Sequence, residues 1–326
     1  MCERVIIDTD PGIDDALAIL LALQSPELDI AAITTVSGNV SVDTATRNVF
    51  TIFSLLPSIT RPPVARGASR PRQKDPFFAT HVHGDDGLGR LDRFLDAAGN
   101  PRYVSPSLSL SARDAVDEIP YQLSLSPEPM TIIALGPLTN IAAAIAKHRE
   151  SMAGVKQIVL MGGAVGVPGN ITPAAEFNIY TDPHAASVVF QSGIPLTVVG
   201  LDVTTRVKLT RDQIDAALNS HRTVVSQFLF DSTKDLLTFS EGRLGEPNFY
   251  LHDPLTVGVV IDPSFVTKKP MPIEIETKGE WTEGMTVADR RPLKPSRKRP
   301  PNAEVCVEVD SSRFISFFLE RLLNSG

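Results

Sequence analysis

Eight residues near the start of the chain, Asp8-Thr9-Asp10-Pro11-Gly12-Ile13-Asp14-Asp15, restrict its fold more than any other segment. The apolar run Val5-Ile6-Ile7 precedes them, and residues 5–8 read as a short buried strand. Pro11-Gly12 breaks that strand, and residues 14–23 continue with helical spacing. The chain therefore passes from strand to helix through a turn holding four carboxylates. Crowded together without counter-charge, those carboxylates would repel one another. The free N–H groups and positive dipole end of the following helix offset part of that repulsion. A bound cation would offset far more, and all-oxygen ligands select a hard ion, Ca²⁺ or Mg²⁺. The spacing is not that of an EF-hand. Asp14 and Asp15, adjacent on a helix, point about 100° apart and so have different tasks. A helix cap surrounded by solvated acids is the alternative reading of the turn alone.

The alternation continues downstream. Residues 28–36 read as a strand and 41–55 as a helix, then 130–135 and 138–148, then 155–161 and 183–191, with a further strand at 195–199. Strand alternating with helix at this pitch implies βαβ units and a parallel sheet flanked by helices. Ligands of such sheets gather at the carboxyl ends of the strands. Residues 60–106 are irregular and rich in Pro, Arg and Gly. Residues 200–251 read as a mostly helical insertion over the active-site face, and 279–301 as a hairpin followed by a loop. With no repeat and no clean linker, residues 1–326 are expected to form one α/β domain.

Composition narrows the partners. Apolar residues make up 42% and charged residues 21%, as in ordinary globular proteins. A net charge of −7 argues against nucleic acid or an anionic membrane as the main partner. The basic residues Arg290, Arg291, Lys294, Arg297, Lys298 and Arg299 form a local exception, read as a solvated loop rather than a polyanion site. No run approaches the roughly 18 apolar residues of a membrane span, and the apolar start is too short for a signal-peptide core. The two cysteines, Cys2 and Cys306, do not suggest a disulfide framework. A cytoplasmic protein is expected.

Polar residues recur where strands end: Asn39 after the second, Gly136-Pro137-Leu138-Thr139-Asn140 after the third, and Met161-Gly162-Gly163 after the fourth. Gly169-Asn170, Glu176-Phe177-Asn178 and His252-Asp253-Pro254 follow. Together with the acidic turn, these motifs closely resemble the nucleoside hydrolase family of the inosine–uridine-preferring type, over residues 7–291. The resemblance implies calcium-dependent hydrolysis of the N-glycosidic bond of ribonucleosides, giving ribose and a free base for nucleoside salvage. It implies one Ca²⁺ held by Asp10, Asp15, Asp253 and the backbone carbonyl of Leu135. Asp10 matches the general base, Asn39 a residue that positions the water, and His252 one that assists departure of the base. Asp14, Asn170, Glu176 and Asn178 match residues that grip the ribose, and His83 one near the pocket mouth; His81 is a weaker candidate. Relatives are often homodimers or homotetramers.

The residue types suit that chemistry. A glycosidic bond breaks through an oxocarbenium-like sugar. The attacking water needs a base, the sugar needs nearby negative charge, and the departing base needs a hydrogen-bond donor. One segment departs from the family pattern: residues 238–245 carry no tyrosine where many relatives do, although Tyr250 lies two residues before His252. Base contacts are therefore left open, and Trp281, placed at a hairpin tip, is given no stacking role. Two alternatives stand beside the hydrolase: an aspartyl-phosphate phosphatase using Asp8-Thr9-Asp10, and a catalytically silent nucleoside-binding protein.

Overall fold

The apolar runs assigned to buried strands lie side by side in one sheet. The computed structural model describes residues 2–107, 109–292 and 299–323, with Arg243 and Leu244 described in backbone only. Lys294, Arg297 and Lys298 of the basic loop lie outside the described residues.

In chain order the strands are β1 (Glu3–Thr9), β2 (Leu28–Thr35), β3 (Val64–Arg66), β4 (Met130–Ala134), β5 (Val155–Met161), β6 (Leu196–Val199), β7 (Lys208–Thr210), β8 (Asn248–Tyr250), β9 (Val266–Met271), β10 (Ile273–Ile275), β11 (Thr286–Ala288) and β12 (Ala303–Val309). The helices are α1 (Ile13–Leu23), α2 (Val42–Leu55), α3 (Thr80–His83), α4 (Ala115–Leu125), α5 (Thr139–Lys147), α6 (Phe177–Thr181), α7 (Pro183–Phe190), α8 (Leu201–Thr204), α9 (Arg211–Ser220), α10 (Val224–Leu244), α11 (His252–Ile261) and α12 (Ser311–Leu323). Eight strands form the central sheet in the order β3-β2-β1-β4-β5-β6-β12-β9. Every neighbouring pair runs parallel except β12 and β9. The fold is thus a single α/β domain with a mainly parallel sheet.

Side-chain alternation builds a core on each face. Val5 and Ile7 of β1 join α1, α2, α11 and α12 on one side, while Ile6 joins α4, α5 and α7 on the other. Burial on both faces explains why the strands read as continuous apolar runs. Helix α1 is apolar almost all round because other helices enclose it; Ile13 and residues 16–21 are fully buried. Each such Leu or Ile contributes roughly 1.5–3 kcal/mol of transfer free energy. The acidic turn is therefore mounted on a rigid post.

The segment at 200–251 is mostly helical, as expected, with α8, α9 and α10, but its two ends pair as the short antiparallel ribbon β7–β8. The hairpin begins earlier than its Gly279 signal suggests. Its strands are β10 and β11, and Ile273 and Ile275 alternate buried with exposed Glu274. Trp281 lies in the turn and is 82% exposed. Strand β12 was not read from sequence; it widens the sheet and brings β9, carrying Lys268, Lys269 and Pro270, to the edge. Among the described residues, no helix is long and apolar enough to cross a membrane.

Candidate active site

The carboxyl ends of β1, β2, β4 and β5 open onto one cavity of about 480 Å³, whose walls include Asp14, Asn39, Leu135, Met161, Asn170, Glu176, Asn178, His252 and Asp253. That volume suits a molecule of nucleoside size. Of the polar residues singled out in the sequence after the strands, Asn39, Asn170, Glu176, Asn178, His252 and Asp253 line this cavity, whereas Thr139 and Asn140 do not.

Asp10 leaves β1 into a slot framed by glycine. A Cβ on Gly38 would stand 2.0 Å from Asp10 Oδ2, and one on Gly136 would stand 2.4 Å from Asp10 Oδ1. Any side chain there would displace the carboxylate. The Asn39 N–H donates to Asp10 Oδ2 at 2.6 Å. Asp10 Oδ1 is buried without a hydrogen-bond partner.

Asp15, on the first turn of α1, is held differently. The Thr9 hydroxyl donates to its Oδ1 at 2.5 Å, while the Gly12 N–H and the Asn39 side-chain amide donate to its Oδ2 at 3.0 and 3.1 Å. Asp14 and Asp253 each keep one oxygen, Oδ1, buried and unpartnered. Carboxylate oxygens of Asp14, Asp15 and Asp253 lie within 4.8 Å of one another. Such crowding is unfavourable for the charged forms. Burial, then the charge of Asp15, pushes Asp10 well above the usual carboxylate range. Burial and the charges of Asp15, Asp14 and Asp10 do the same to Asp253, and burial lifts Asp14 to about 6. Bare carboxylate oxygens facing one another in a buried, all-oxygen site fit a hard divalent cation. The carbonyl of Leu135 lies here too, accepting from Asn178 Nδ2 at 2.7 Å.

Asn178 Nδ2 also donates to the Met161 carbonyl at 3.2 Å, so only the side-chain oxygen is left to offer the cavity. Glu176 caps α6: its oxygens accept from the N–H groups of Gly163, Asn178 and Ile179. The Asn170 side-chain oxygen accepts from the Phe177 N–H at 2.9 Å.

Two imidazoles face the same space. His83 was expected on a loop near the pocket mouth; it sits deeper, at the end of α3, 8% exposed. The Ile13 N–H donates to its Nδ1 at 3.1 Å, so the imidazole caps α1. His252 Nδ1 lies 2.7 Å from the Thr204 hydroxyl. Burial lowers both histidines to about 4, which keeps them neutral near pH 7.

The segment expected over the active-site face supplies the outer wall, formed in part by Leu236, Phe239 and Ser240 of α10 and by Asn248, Phe249 and Tyr250 at β8, although sequence reasoning assigned these residues no individual roles. Residues 236, 239 and 240 share one helical face, a spacing that would have revealed them. The Tyr250 ring lies 5.5 Å from that of His252. His81 reaches the cavity; Trp281 does not line it. Asp8 and Asn140 were also missed as supports. Asn140 Nδ2 donates to Asp8 Oδ1 at 2.8 Å and to the Thr35 carbonyl at 3.0 Å, tying β1, β2 and the start of α5 beneath the site.

Comparison with known proteins agrees with this arrangement. The family model described as "Inosine-uridine preferring nucleoside hydrolase" matches residues 5–316. The chain is 41% identical over 328 residues to the pyrimidine-specific ribonucleoside hydrolase RihA of Citrobacter koseri, covering 99% of this chain and 98% of the relative. It is similar to the solved structure of the purine-preferring ribonucleoside hydrolase from Gardnerella vaginalis, with a TM-score of 0.88 and 34% identity over 98% of each chain. The plant nucleoside hydrolase PpNRh1 gives the same TM-score and identity over 99% of this chain and 100% of that one. The buried acidic turn, the loops at the strand ends and these matches have one explanation: the chain belongs to the inosine–uridine-preferring nucleoside hydrolase family and is a ribonucleoside N-ribohydrolase.

Proposed function

We propose that this enzyme is calcium-dependent, cleaves ribonucleosides for salvage, and prefers uridine and cytidine to purine nucleosides. The observation that carries the metal requirement is the set of buried, unpartnered oxygens on Asp10, Asp14 and Asp253. The pyrimidine preference is supported by relatives at 40–41% identity named pyrimidine-specific, against 34% for the purine-preferring structure. Asp10, Asp15, Asp253 and the Leu135 carbonyl would hold Ca²⁺, with Asp14 beside them. When bound, the ion would acidify water and anchor vicinal hydroxyls.

The protein groups divide the remaining work. Asp10 takes a proton from the attacking water, whose oxygen bonds to C1′ as the C1′–N bond breaks. The bond's electrons leave with the nucleobase. Asn39 fixes the Asp10 carboxylate through the 2.6 Å bond to Oδ2. Asp14, Asn170, Glu176 and Asn178 hold the ribose and surround its developing positive charge with oxygen. His252 donates a hydrogen bond to the departing base, and His83 closes the pocket above α1. The enzyme works in the cytoplasm as a homodimer or homotetramer.

Purified enzyme should release free ribose from uridine and cytidine faster than from inosine and guanosine. A chelator should abolish this release, and Ca²⁺ should restore it. Phosphate release from p-nitrophenyl phosphate without ribose release would favour the phosphatase. Neither product would leave a binding protein, and full activity after rigorous chelation would end the calcium proposal.

A further inference from the structure

The partner of His252 is Thr204, the last residue of α8, whose hydroxyl lies 2.7 Å from His252 Nδ1. Thr204 is fully buried. A hydroxyl has one hydrogen to donate, and burying it without an acceptor is costly. Threonines in helices commonly donate to the carbonyl one turn back, as neighbouring Thr205 does to Leu201 at 2.6 Å. Thr204 makes no such bond; among the described residues, His252 Nδ1 is the only hydrogen-bond partner of its hydroxyl. The hydroxyl hydrogen is therefore directed at Nδ1, and a neutral imidazole that accepts at Nδ1 carries its own hydrogen on Nε2.

His252 lines the cavity, and its Nε2 has no protein partner among the described residues. The second imidazole shows the same arrangement by a route that leaves no choice of donor. A backbone N–H can only donate, and that of Ile13 points at His83 Nδ1 from 3.1 Å. Both rings therefore carry their hydrogen on Nε2, and both line the cavity. Only the one on His252 depends on a side chain that can be replaced.

We propose that Thr204 is a positioning residue that fixes His252 in the Nε2–H form, so that His252 donates a hydrogen bond to the nucleobase as the C1′–N bond breaks. No proton needs to be transferred. The bond stabilises negative charge that grows on the base only as it departs, so its effect belongs in kcat. Without the Thr204 hydroxyl the ring can place its hydrogen on either nitrogen. The fraction with a bare Nε2 lone pair then repels the departing base. This inference rests on the hydrolase reading above and adds a residue that touches no substrate.

Three measurements decide it. Thr204→Val, nearly the same shape without the donor, should lower kcat on uridine by about 10-fold, the lower end of what losing an outer hydrogen-bond partner costs a metal-bound histidine, with KM little changed. Thr204→Ser should restore most of that loss. On p-nitrophenyl β-ribofuranoside, whose phenolate needs far less help to depart, the Val variant's loss should be at least fivefold smaller, on the order expected for an interaction specific to leaving-group charge. Equal losses on both substrates, a Ser variant as poor as Val, or a Val variant with full uridine activity would each overturn the proposal. Imidazole ¹⁵N spectra of the wild-type enzyme read the same point without any variant: His252 protonated on Nδ1 refutes it, and on Nε2 supports it. Those spectra remain decisive even if the enzyme cleaves no nucleoside, in which case the hydrolase reading fails separately.

Discussion

The floor of the cavity and its outer wall are built on different principles. The floor comes from strand ends and the first turn of α1. Asp10 and Asp15 are fully buried, Asp253 is 2% exposed, and hydrogen bonds from Thr9, Gly12 and Asn39 fix the first two. The outer wall comes from α10 and the β7–β8 ribbon, apart from the main sheet. Phe239 there is 41% exposed, and among the described residues no aromatic ring packs against it. The difference separates two tasks. Breaking the bond requires charges held to a fraction of an ångström on a rigid frame, whereas choosing a base requires a surface that can change without disturbing that frame. Relatives whose names specify opposite base preferences share the fold.

That separation can be broken or sharpened by experiment. The largest effect should come from the sugar. If Asp14, Asn170 and Asn178 grip the ribose hydroxyls, 2′-deoxyuridine should react about 10⁴-fold more slowly than uridine in kcat/KM, since buried polar groups would go unpaired. Equal rates would remove these residues from ribose recognition. Asp10→Asn should lower kcat by about 10²–10⁴-fold while Tm, measured in excess Ca²⁺, stays nearly constant; retention of a tenth of wild-type kcat would dismiss Asp10 as the base. Phe239→Ala belongs to the wall. It should alter the uridine-to-inosine ratio of kcat/KM by less than about tenfold, as expected for one partly exposed apolar contact, and leave the deoxyuridine discrimination intact. Loss of both would show that wall and floor are one unit.

The smallest effect is on stability. Asp8 titrates at about 7, and Asp10 and Asp253 well above the usual range, all raised by burial. Their folded pKa values exceed the unfolded value of about 3.9. The stability they confer is thus complete below that value and is lost as pH rises through the folded values. Between pH 6.5 and 8 the two buried histidines, lowered to about 4 in the fold, oppose part of this loss, because the unfolded chain still binds protons there at pH 6.5 and the folded rings do not; the three carboxylates outweigh them. Chelated protein should therefore melt at least about 2 °C lower at pH 8 than at pH 6.5, and Ca²⁺ should shrink the difference. A chelated protein more stable at pH 8 would contradict the crowding of bare carboxylates.

The acidic turn was legible in the sequence because it is local: residues Asp8 to Asp15 carry their own strand signal, break and helix start, whereas Asp253, far along the chain, was reached only through the family resemblance. Strands β1, β2, β4, β5 and β6 were legible for a similar reason, being buried on both faces. The wall was not, because its residues come from α10 and β8, and β8 is held by pairing with β7, a segment about forty residues earlier. Strand β12 escaped notice because its burial is mixed, with Glu304 exposed between Ala303 and Val305. His83 was placed too far out for another reason. Its role as a cap on α1 depends on a hydrogen bond between residues 70 positions apart.

The two borders of the central sheet carry a consequence for solubility. A wide parallel sheet ends in unpaired backbone donors and acceptors, and an open border invites strands of other molecules to add on. One border, β3, is three residues long, and its Val64 carbonyl already accepts from the Ser111 N–H at 2.7 Å. The other, β9, presents Lys268 and Lys269, whose charges repel a second copy, and Pro270, which has no N–H to offer. Neither border can template runaway strand addition. Association of copies that avoids these two borders leaves the backbone ladder, and the site at its carboxyl end, intact.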